Sequence, residues 1–576
     1  MKAIKKVLQN KRFSLILVTL LSFLKLITYY LLIEVNHWDL AYLILTIIIF
    51  VWIFNRLAIS KIPKKHIVFL IIYTLLSILM FADSMYYNYY NQTVSVKQIW
   101  QAKNVASVPQ SLVATLIPAS IFLLLDIPFV YFLFKKVVAK GTIKGVPFSH
   151  TKVQNMKYTT SGIIILLLLL VINPLNSTLF KKINSVEFFS SHLNDIYLSL
   201  TEEVISEKIS AEEILEIVEE IQPDIEEKEG PKYKGIGKGK NLILVQVESL
   251  QNFVINEKYY GQVLTPNLNS LIKKDSLYFN QYYSHIGKGN TADAEFSTLN
   301  SLYPVIDRDM YTLYEDNAYY GLPWILRDNN YKTLAFHGYK GEFWNREKAY
   351  PNQGIEEFYS MEDLDKSDII GMGISDLSIF KQSVEVMSNI KEPFFSFIIT
   401  LTNHHPYILP EDLSTIRLIE EHENTKFGSY LQTVRYTDYA IGEFIKELKA
   451  ADLYDESIIV FYGDHHGLNY KMDGNEEIVS EFLGKPYDYD EMLNVPLIIH
   501  IPDSGINQTI STTGGFIDFL PTISNIMDFE IPHPYILGQD IANETDGFVA
   551  FTSYLLDGSF IHNDNILEIS REGILE

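Results

Sequence analysis

Five long apolar runs, at about 13–34, 40–57, 66–82, 112–134 and 160–178, constrain this chain more than any other feature. Each approaches the roughly 20 residues that a helix needs to cross a bilayer. A cleaved leader would account for the first run alone, so the pattern predicts a five-helix transmembrane domain over residues 1–178. The third run is the shortest. Lysine and arginine then set the orientation. Lys2, Lys5, Lys6, Lys11 and Arg12 precede the first run, Arg56, Lys61, Lys64 and Lys65 fill the second loop, and Lys135, Lys136, Lys140, Lys144, Lys152 and Lys157 lie between the fourth run and the fifth. The first loop has no such residue and the third has Lys97 and Lys103. The positive-inside rule therefore places the N-terminus in the cytoplasm and everything beyond the fifth run outside the cell.

Two charges interrupt the apolar runs, Lys25 in the first and Asp126 in the fourth. Either they pair inside the bilayer, or one or both snorkel to an interface. The aromatic cluster Tyr86, Tyr87, Tyr89 and Tyr90 in the third loop fits an outer interfacial belt. Residues 179–240 form a linker. Apolar residues at helical spacing, notably over 209–221, predict one or two amphipathic helices, and Pro223, the charged run 226–231 and the glycine-rich 234–240 break the pattern.

From Asn241 to Glu576 the pattern changes to short apolar strands alternating with helical stretches, which predicts an α/β domain with a mostly parallel central sheet. Strands are expected at 242–247, 332–336, 394–401, 458–462 and 495–501, and helices at 267–273, 292–302 and 436–449. Four of these strands run into a residue able to bind metal or move a proton: Glu248, His337, His404, and Asp464 with His465. Ligands of such sheets bind beyond the carboxyl ends of the strands, so these residues converge on one edge. The net charge of −23 and the lack of a basic stripe exclude a nucleic-acid partner. The absence of cysteine excludes disulfides and thiolate metal sites.

Glu248, Asp464 and His465 offer two carboxylates and an imidazole, a set suited to Mn²⁺ or Mg²⁺ and open to Zn²⁺. Gly287 to Asp293 is a glycine-bracketed turn delivering the hydroxyl of Thr291 to the start of a helix, where an anion is favoured. A hydroxyl beside a divalent cation can lose its proton and attack phosphorus or sulfur. The alternative is that Thr291 is a helix cap, Glu248 an ion-pair partner and Asp464–His465 a strand cap. Around this core His337, Trp344, Arg346 and His404 are substrate-contact candidates, with Arg346 able to grip a phosphate through two parallel hydrogen bonds. Trp344 either packs on the substrate or plugs the core. His405 and His466 are read as supporting residues.

Five helices, a linker and an outer domain carrying VQVESLQ (245–251), GNTADAEF (289–296), FHGYKGEFWNRE (336–347), LTNHHPY (401–407) and YGDHHG (462–467) resemble the lipoteichoic acid synthases. These are polyglycerolphosphate transferases of Gram-positive bacteria, with a sulfatase-like outer domain of the alkaline phosphatase superfamily. Residues 517–523 and 537–540 resemble that group's C-terminal segment. The resemblance implies that Thr291 is the nucleophile, taking glycerol phosphate from phosphatidylglycerol and releasing diacylglycerol. It implies that Glu248, Asp464, His465 and Thr291 hold a metal, usually manganese, and that His337, Trp344, Arg346 and His404 form the glycerol-phosphate pocket. The acceptor is then a growing polyglycerolphosphate chain on a glycolipid anchor. Two positions depart from the pattern. Tyr339 stands where a smaller polar residue would contact the glycerol, and His466 where an aromatic residue is common.

Other readings remain on the same fold: a lipoteichoic acid primase, a phosphoethanolamine transferase or a phosphodiesterase. A sulfatase requires cysteine or serine at the nucleophile position, which here is threonine. A receptor or scaffold with a retired site would be expected to have lost at least one of these residues.

Overall fold

The computed structural model describes residues 11–33, 40–60, 62–90, 93–96, 116–138, 187–205, 216–217, 230–306, 308–551, 553–555, 558–563 and 565–569. The fifth apolar run (160–178), the beginning of the fourth and most of the expected amphipathic stretch 209–221 lie outside the described residues. The chain divides into two compact units, one within residues 1–208 and the other carrying Ile209–Glu576.

The first unit is helical: α1 (Lys11–Leu32), α2 (Leu40–Ile59), α3 (Lys65–Tyr90), α4 (Ile127–Val138) and α5 (Phe188–Ile205). Among the described residues, Lys65–Tyr87 within α3 is the one stretch both long and apolar enough to cross a membrane; Ile16–Leu32 and Leu43–Ala58 are shorter apolar helices. The third run, shortest by sequence, thus lies in the longest helix of this unit, because Tyr86 to Tyr90 continue its last turns. Ile16, Leu20 and Leu24 on α1, and Ile67, Ile71, Leu75 and Ile78 on α3, recur every three or four residues, so each set forms one outward stripe, 40–64 % exposed. The opposite faces bury Leu26, Tyr29, Phe50, Phe69, Tyr73, Leu133 and Phe134 together.

Lys25 and Asp126 do pair. Lys25 Nζ lies 2.6 Å from Asp126 Oδ1 and donates to Ser77 Oγ at 2.7 Å, while Tyr73 donates its hydroxyl to Asp126 Oδ2 at 2.6 Å. At 1.5 Å per residue, Lys25, Ser77 and Asp126 sit about 18–21 Å along their helices from Lys11, Lys65 and Val138. Equal depth brings the three polar groups together, and snorkelling is not needed. Replacing Lys25 by methionine strands a carboxylate in an apolar bundle and is expected to destabilise this unit by roughly 3–5 kcal/mol. The double variant Lys25→Met/Asp126→Leu should recover most of that loss in thermal unfolding of the detergent-solubilised chain.

The second unit is built on one sheet. Its strands are β1 (Asn241–Val247), β2 (Ser276–Tyr283), β3 (Lys332–His337), β4 (Glu357–Tyr359), β5 (Phe394–Ile399), β6 (Ser457–Gly463), β7 (Asn494–His500) and β8 (Asn507–Ile510). Their order is β8-β2-β7-β6-β1-β5-β3-β4, with Gly514–Gly515 added against β2. The run from β6 through β1, β5 and β3 to β4 is parallel, whereas β7 lies antiparallel to both of its neighbours. Helices pack on both faces, which is why the central strands are mostly apolar on both sides, with Gln246 of β1 and Ser396 of β5 as buried polar exceptions. Ile243, Val245 and Val247 enter one core while Leu242 and Leu244 enter the other, the two-residue alternation of a strand.

The helices that matter below are α6 (Thr291–Asn300), α7 (Arg346–Gln353), α8 (Asp376–Met387) and α9 (Lys426–Ala450). The helix expected at 436–449 starts earlier because Thr425 caps it, its hydroxyl accepting from Gly428 N at 3.0 Å. Strand β2 has no counterpart in the expected set: its centre is Asn280 and Gln281, which hide the apolar alternation.

Candidate metal and nucleophile centre

In the register of the sheet Val247 lies opposite Gly463, and His337 opposite Ile399. The residues that follow these pairs therefore leave the same edge side by side. Glu248 and Asp464 each stand one step past a paired strand end, and Thr400–His404 follows β5 between β1 and β3. The sheet edge expected from sequence is the edge observed.

Glu248, Asp464 and His465 are all buried, and one ligand atom from each lies within 4.8 Å of the others. His465 Nε2 is 3.4 Å from Glu248 Oε1 and 3.5 Å from Asp464 Oδ2. Its Nδ1 faces the carbonyl of His466 at 2.9 Å, so that nitrogen carries the proton and Nε2 keeps its lone pair for the cluster. Asp464 Oδ1 accepts from the backbone N–H groups of Ser249 and His465 at 2.7 and 2.8 Å. Its Oδ2 is buried without a hydrogen-bond partner. Burial together with the neighbouring Glu248 carboxylate pushes Asp464 up to about 7, and burial also raises Glu248. For His465 burial favours the neutral ring, but the two carboxylates outweigh it and raise its pKa. Two desolvated carboxylates, an orphaned oxygen and an imidazole lone pair fit a divalent cation with oxygen and nitrogen ligands.

Thr291 opens α6 and is 7 % exposed. Its Oγ1 lies 3.4 Å from Glu248 Oε2 and 3.5 Å from His465 Nε2, and its carbonyl accepts from Gln246 Nε2 on β1 at 3.2 Å. The turn before it is tight. Asn290 sits at φ 43° and ψ −110°, a conformation that an L-residue adopts only under constraint. Gly289 donates its N–H to Asp293 Oδ2 at 2.7 Å, and a Cβ at Gly289 would fall 2.4 Å from Asp293 Oδ1. Glycine is required there because the loop closes on the Asp293 carboxylate.

The proposed substrate contacts divide. His337, at the end of β3, is buried with Nδ1 3.3 Å from the Ile399 carbonyl, and burial, aided by the charge of Arg346, holds it neutral. His404 is partly buried, its Nδ1 on the His405 carbonyl at 2.7 Å, and burial lowers its pKa as well. Trp344 is half-buried, stands at φ 56°, and meets the Phe343 ring edge-on at 5.4 Å. It packs on the core through part of its surface, as the core reading expected. Arg346 does not present an open fork. Its Nε and Nη2 bind Glu295 Oε1 at 3.0 and 2.5 Å, and Nη1 donates to the Phe343 carbonyl at 3.3 Å.

Two acidic residues of this neighbourhood escaped sequence reasoning. Glu295 shares a face of α6 with Thr291, four residues on, and that spacing was its only signal. Asp376, at the start of α8, accepts from Leu401 N and Thr402 N at 2.8 and 2.9 Å and from the Thr437 hydroxyl at 2.8 Å. It thereby holds the loop that carries His404, and nothing local in the sequence marks it.

Known proteins resemble this chain. Residues 1–197 match the lipoteichoic acid synthase N-terminal domain and residues 240–529 the sulfatase family. Lipoteichoic acid synthase-like YvgJ of Bacillus subtilis (strain 168) is 32 % identical over 522 residues, 87 % of this chain and 82 % of that protein. Lipoteichoic acid synthase 1 of the same organism is 30 % identical over 539 residues, 89 % of this chain and 82 % of that protein. The crystal structure of the lipoteichoic acid synthase LtaP from Listeria monocytogenes aligns with a TM-score of 0.58 at 30 % identity, covering 63 % of this chain and 92 % of that one. With both parts matched and relatives aligned over most of their length, the chain belongs to the lipoteichoic acid synthase family.

Proposed function

We propose that this chain is a membrane-anchored glycerol phosphate transferase that uses Thr291 as its nucleophile. The observation that carries this reading is the position of Thr291 Oγ1, at the head of a helix and within 3.5 Å of two members of the buried carboxylate–imidazole cluster. Thr291 would give up its hydroxyl proton and form an O–P bond with the phosphorus of phosphatidylglycerol. The P–O bond to diacylglycerol would break, and that oxygen would leave with a proton. A terminal hydroxyl of a growing polyglycerolphosphate chain on a glycolipid anchor would then displace Thr291 and complete the transfer. Splitting one difficult displacement into two lets a single pocket serve donor and acceptor in turn.

Glu248, Asp464, His465 and the Thr291 hydroxyl would hold a Mn²⁺ or Mg²⁺ ion. When bound, such an ion neutralises phosphate charge and lowers the pKa of an adjacent hydroxyl. The protein's own part is to orient. Gln246 fixes the Thr291 backbone, and neutral His337 and His404, whose Nδ1 protons face backbone carbonyls, keep Nε2 as an acceptor for substrate hydroxyls.

Residues 1–178 form the anchor in this reading, 179–240 the linker and 241–576 the extracellular catalytic domain, with the N-terminus in the cytoplasm. The outward apolar stripes of α1 and α3 support lipid as their surroundings, since a patch of that extent is not stable against water.

The test is intact-mass measurement of the full chain in lipid nanodiscs after incubation with phosphatidylglycerol and Mn²⁺. A glycerol-phosphate adduct that is lost in Thr291→Ala, with diacylglycerol released, is the expected result. Lipid cleavage without an adduct would instead favour a phosphodiesterase. Tyr339, buried and edge-on to Phe343 at 5.2 Å, puts an aromatic ring where a small polar glycerol contact was expected. That favours a second reading in which the headgroup differs, so phosphatidylethanolamine belongs in the same experiment.

A further inference from the structure

Arg346 and Glu295 are among the most deeply buried charges of the second unit, 1 % and 0 % exposed. Two explanations compete: an ion pair that only joins α6 to α7, or a device that serves the reaction. Three observations bear on the choice. First, Glu295 takes the Nε–Nη2 edge of the guanidinium, and its other oxygen accepts the Tyr350 hydroxyl at 2.7 Å, so the planar group has no freedom to turn about that edge. Second, Glu295 lies one helical turn after Thr291 on α6, so whatever it holds is fixed relative to the nucleophile. Third, the charge of Arg346 is felt at both Glu248 and His337, so its guanidinium lies near both. The backbone supports the same geometry: Trp344 and Asn345, the two residues before Arg346, both sit in the left-handed region, at φ 56° and 58°.

We propose that Glu295 is a positioning residue for phosphoryl transfer: it grips Arg346 by the Nε–Nη2 edge so that the remaining Nη edge meets the phosphate bound at Thr291. The helix that carries the nucleophile then also carries the handle that aims the cation, and their separation is set by one turn of α6. Arg346 alone would be a buried charge with several rotamers. Clamped by Glu295, with Nη1 also donating to the Phe343 carbonyl, the guanidinium already has its orientation when the phosphate arrives. This inference rests on the transferase reading above.

The test uses the full chain in nanodiscs with Mn²⁺ and compares wild type, Glu295→Gln, Arg346→Ala and the double variant. Two quantities are measured, turnover of phosphatidylglycerol and binding of glycerol 1-phosphate by calorimetry. Glu295→Gln is expected to lower kcat/KM about 10–100-fold and to weaken glycerol 1-phosphate about tenfold, the scale of one charge-assisted hydrogen-bond pair. The thermal shift produced by Mn²⁺ should stay as in wild type. Millimolar guanidinium should restore part of the activity of Arg346→Ala, because Glu295 can seat the free ion, and should restore none in the double variant.

Wild-type kcat/KM and glycerol 1-phosphate affinity in Glu295→Gln, with only a lower Tm, would overturn the proposal and leave a structural ion pair. Equal rescue of the single and double variants would overturn it too. Should wild type itself fail to turn over phosphatidylglycerol, the donor reading fails, while the binding measurement still decides the role of Glu295. If Glu295→Gln does not fold, Glu295→Asp, which keeps the charge but withdraws it by one methylene, is expected to show the same losses.

Discussion

Thr291→Ala is expected to abolish transfer, lowering turnover by at least about 10⁴-fold while the domain stays folded. The hydroxyl makes only the two contacts at 3.4 and 3.5 Å to Glu248 and His465, both longer than a normal O–H···O bond, so its removal takes little from stability. Alanine is a good helix former and suits the first position of α6. Thr291→Ser keeps an oxygen in place but frees its rotamer, since serine lacks the methyl that restricts χ1. It is expected to retain activity within roughly tenfold of wild type. Diacylglycerol release from phosphatidylglycerol and thermal unfolding, measured on the same samples, check both halves of this expectation. A Thr291→Ala chain that remained active would remove Thr291 from the chemistry.

Asp464→Asn should move stability and activity in opposite directions. Asp464 is buried beside Glu248, and those two conditions raise its pKa to about 7. With metal stripped by chelator at pH 8, the folded protein must hold both carboxylates ionised without their counter-ion. Asparagine has the same shape, and its oxygen can still accept from Ser249 N and His465 N. The variant is therefore expected to be more stable than wild type in the metal-free state at pH 8, by roughly 1–3 kcal/mol. The sign with pH follows from a folded-state pKa above the unfolded value. The wild-type penalty is fully present above about 7 and fades as pH falls towards the unfolded value, so the two proteins should converge only near pH 4.

Added Mn²⁺ should reverse the ranking. Wild type gains about 2.7 kcal/mol at a hundredfold excess over Kd, whereas the variant gains little and turns over no donor. Denaturation curves with chelator and with Mn²⁺ measure all of this. A metal-free variant less stable than wild type would mean that Asp464 is held by groups other than a cation.

Much of this architecture could be read from residue order because each central strand signals twice. Its interior is mostly apolar on both faces, which marks burial on both sides, and it stops at a residue that no core would accept unpaired. Glu248, His337 and Asp464 are visible for that reason, and the glycine-bracketed turn marks Thr291. What stayed hidden depends on partners distant in sequence. Arg346 looked like an open fork because Glu295, 51 residues away, reads as an ordinary helix carboxylate until the tertiary fold brings the two together. Asp376 carries no local signal, and only the fold shows that it holds the His404 loop. Strand β2 was missed because Asn280 and Gln281 interrupt its apolar run, at the point where its pairing with β7 shifts register. In the helical unit, Lys25 and Asp126 were conspicuous as charges, but their meeting required three helices to bring them to a common depth.

Glu248 follows β1, and β1 sits between β5 and β6, both made much later in synthesis. The tie between Ser249 N and Asp464 Oδ1 closes a loop of 215 residues. A chain emerging from its N-terminal end therefore exposes half of its cation cluster long before the other half exists. Until β6 is paired, Glu248 is one carboxylate on an unpartnered strand, with no imidazole and no neighbouring aspartate to complete a chelate. Long-range pairing of this kind is slow to form. On the mechanism proposed above, metal loading would thus be a late event in the life of each molecule. A chain caught part-way, still threaded or truncated before Asp464, would have Thr291 but no means of arming it, so immature copies would stay inert toward any phosphodiester they meet.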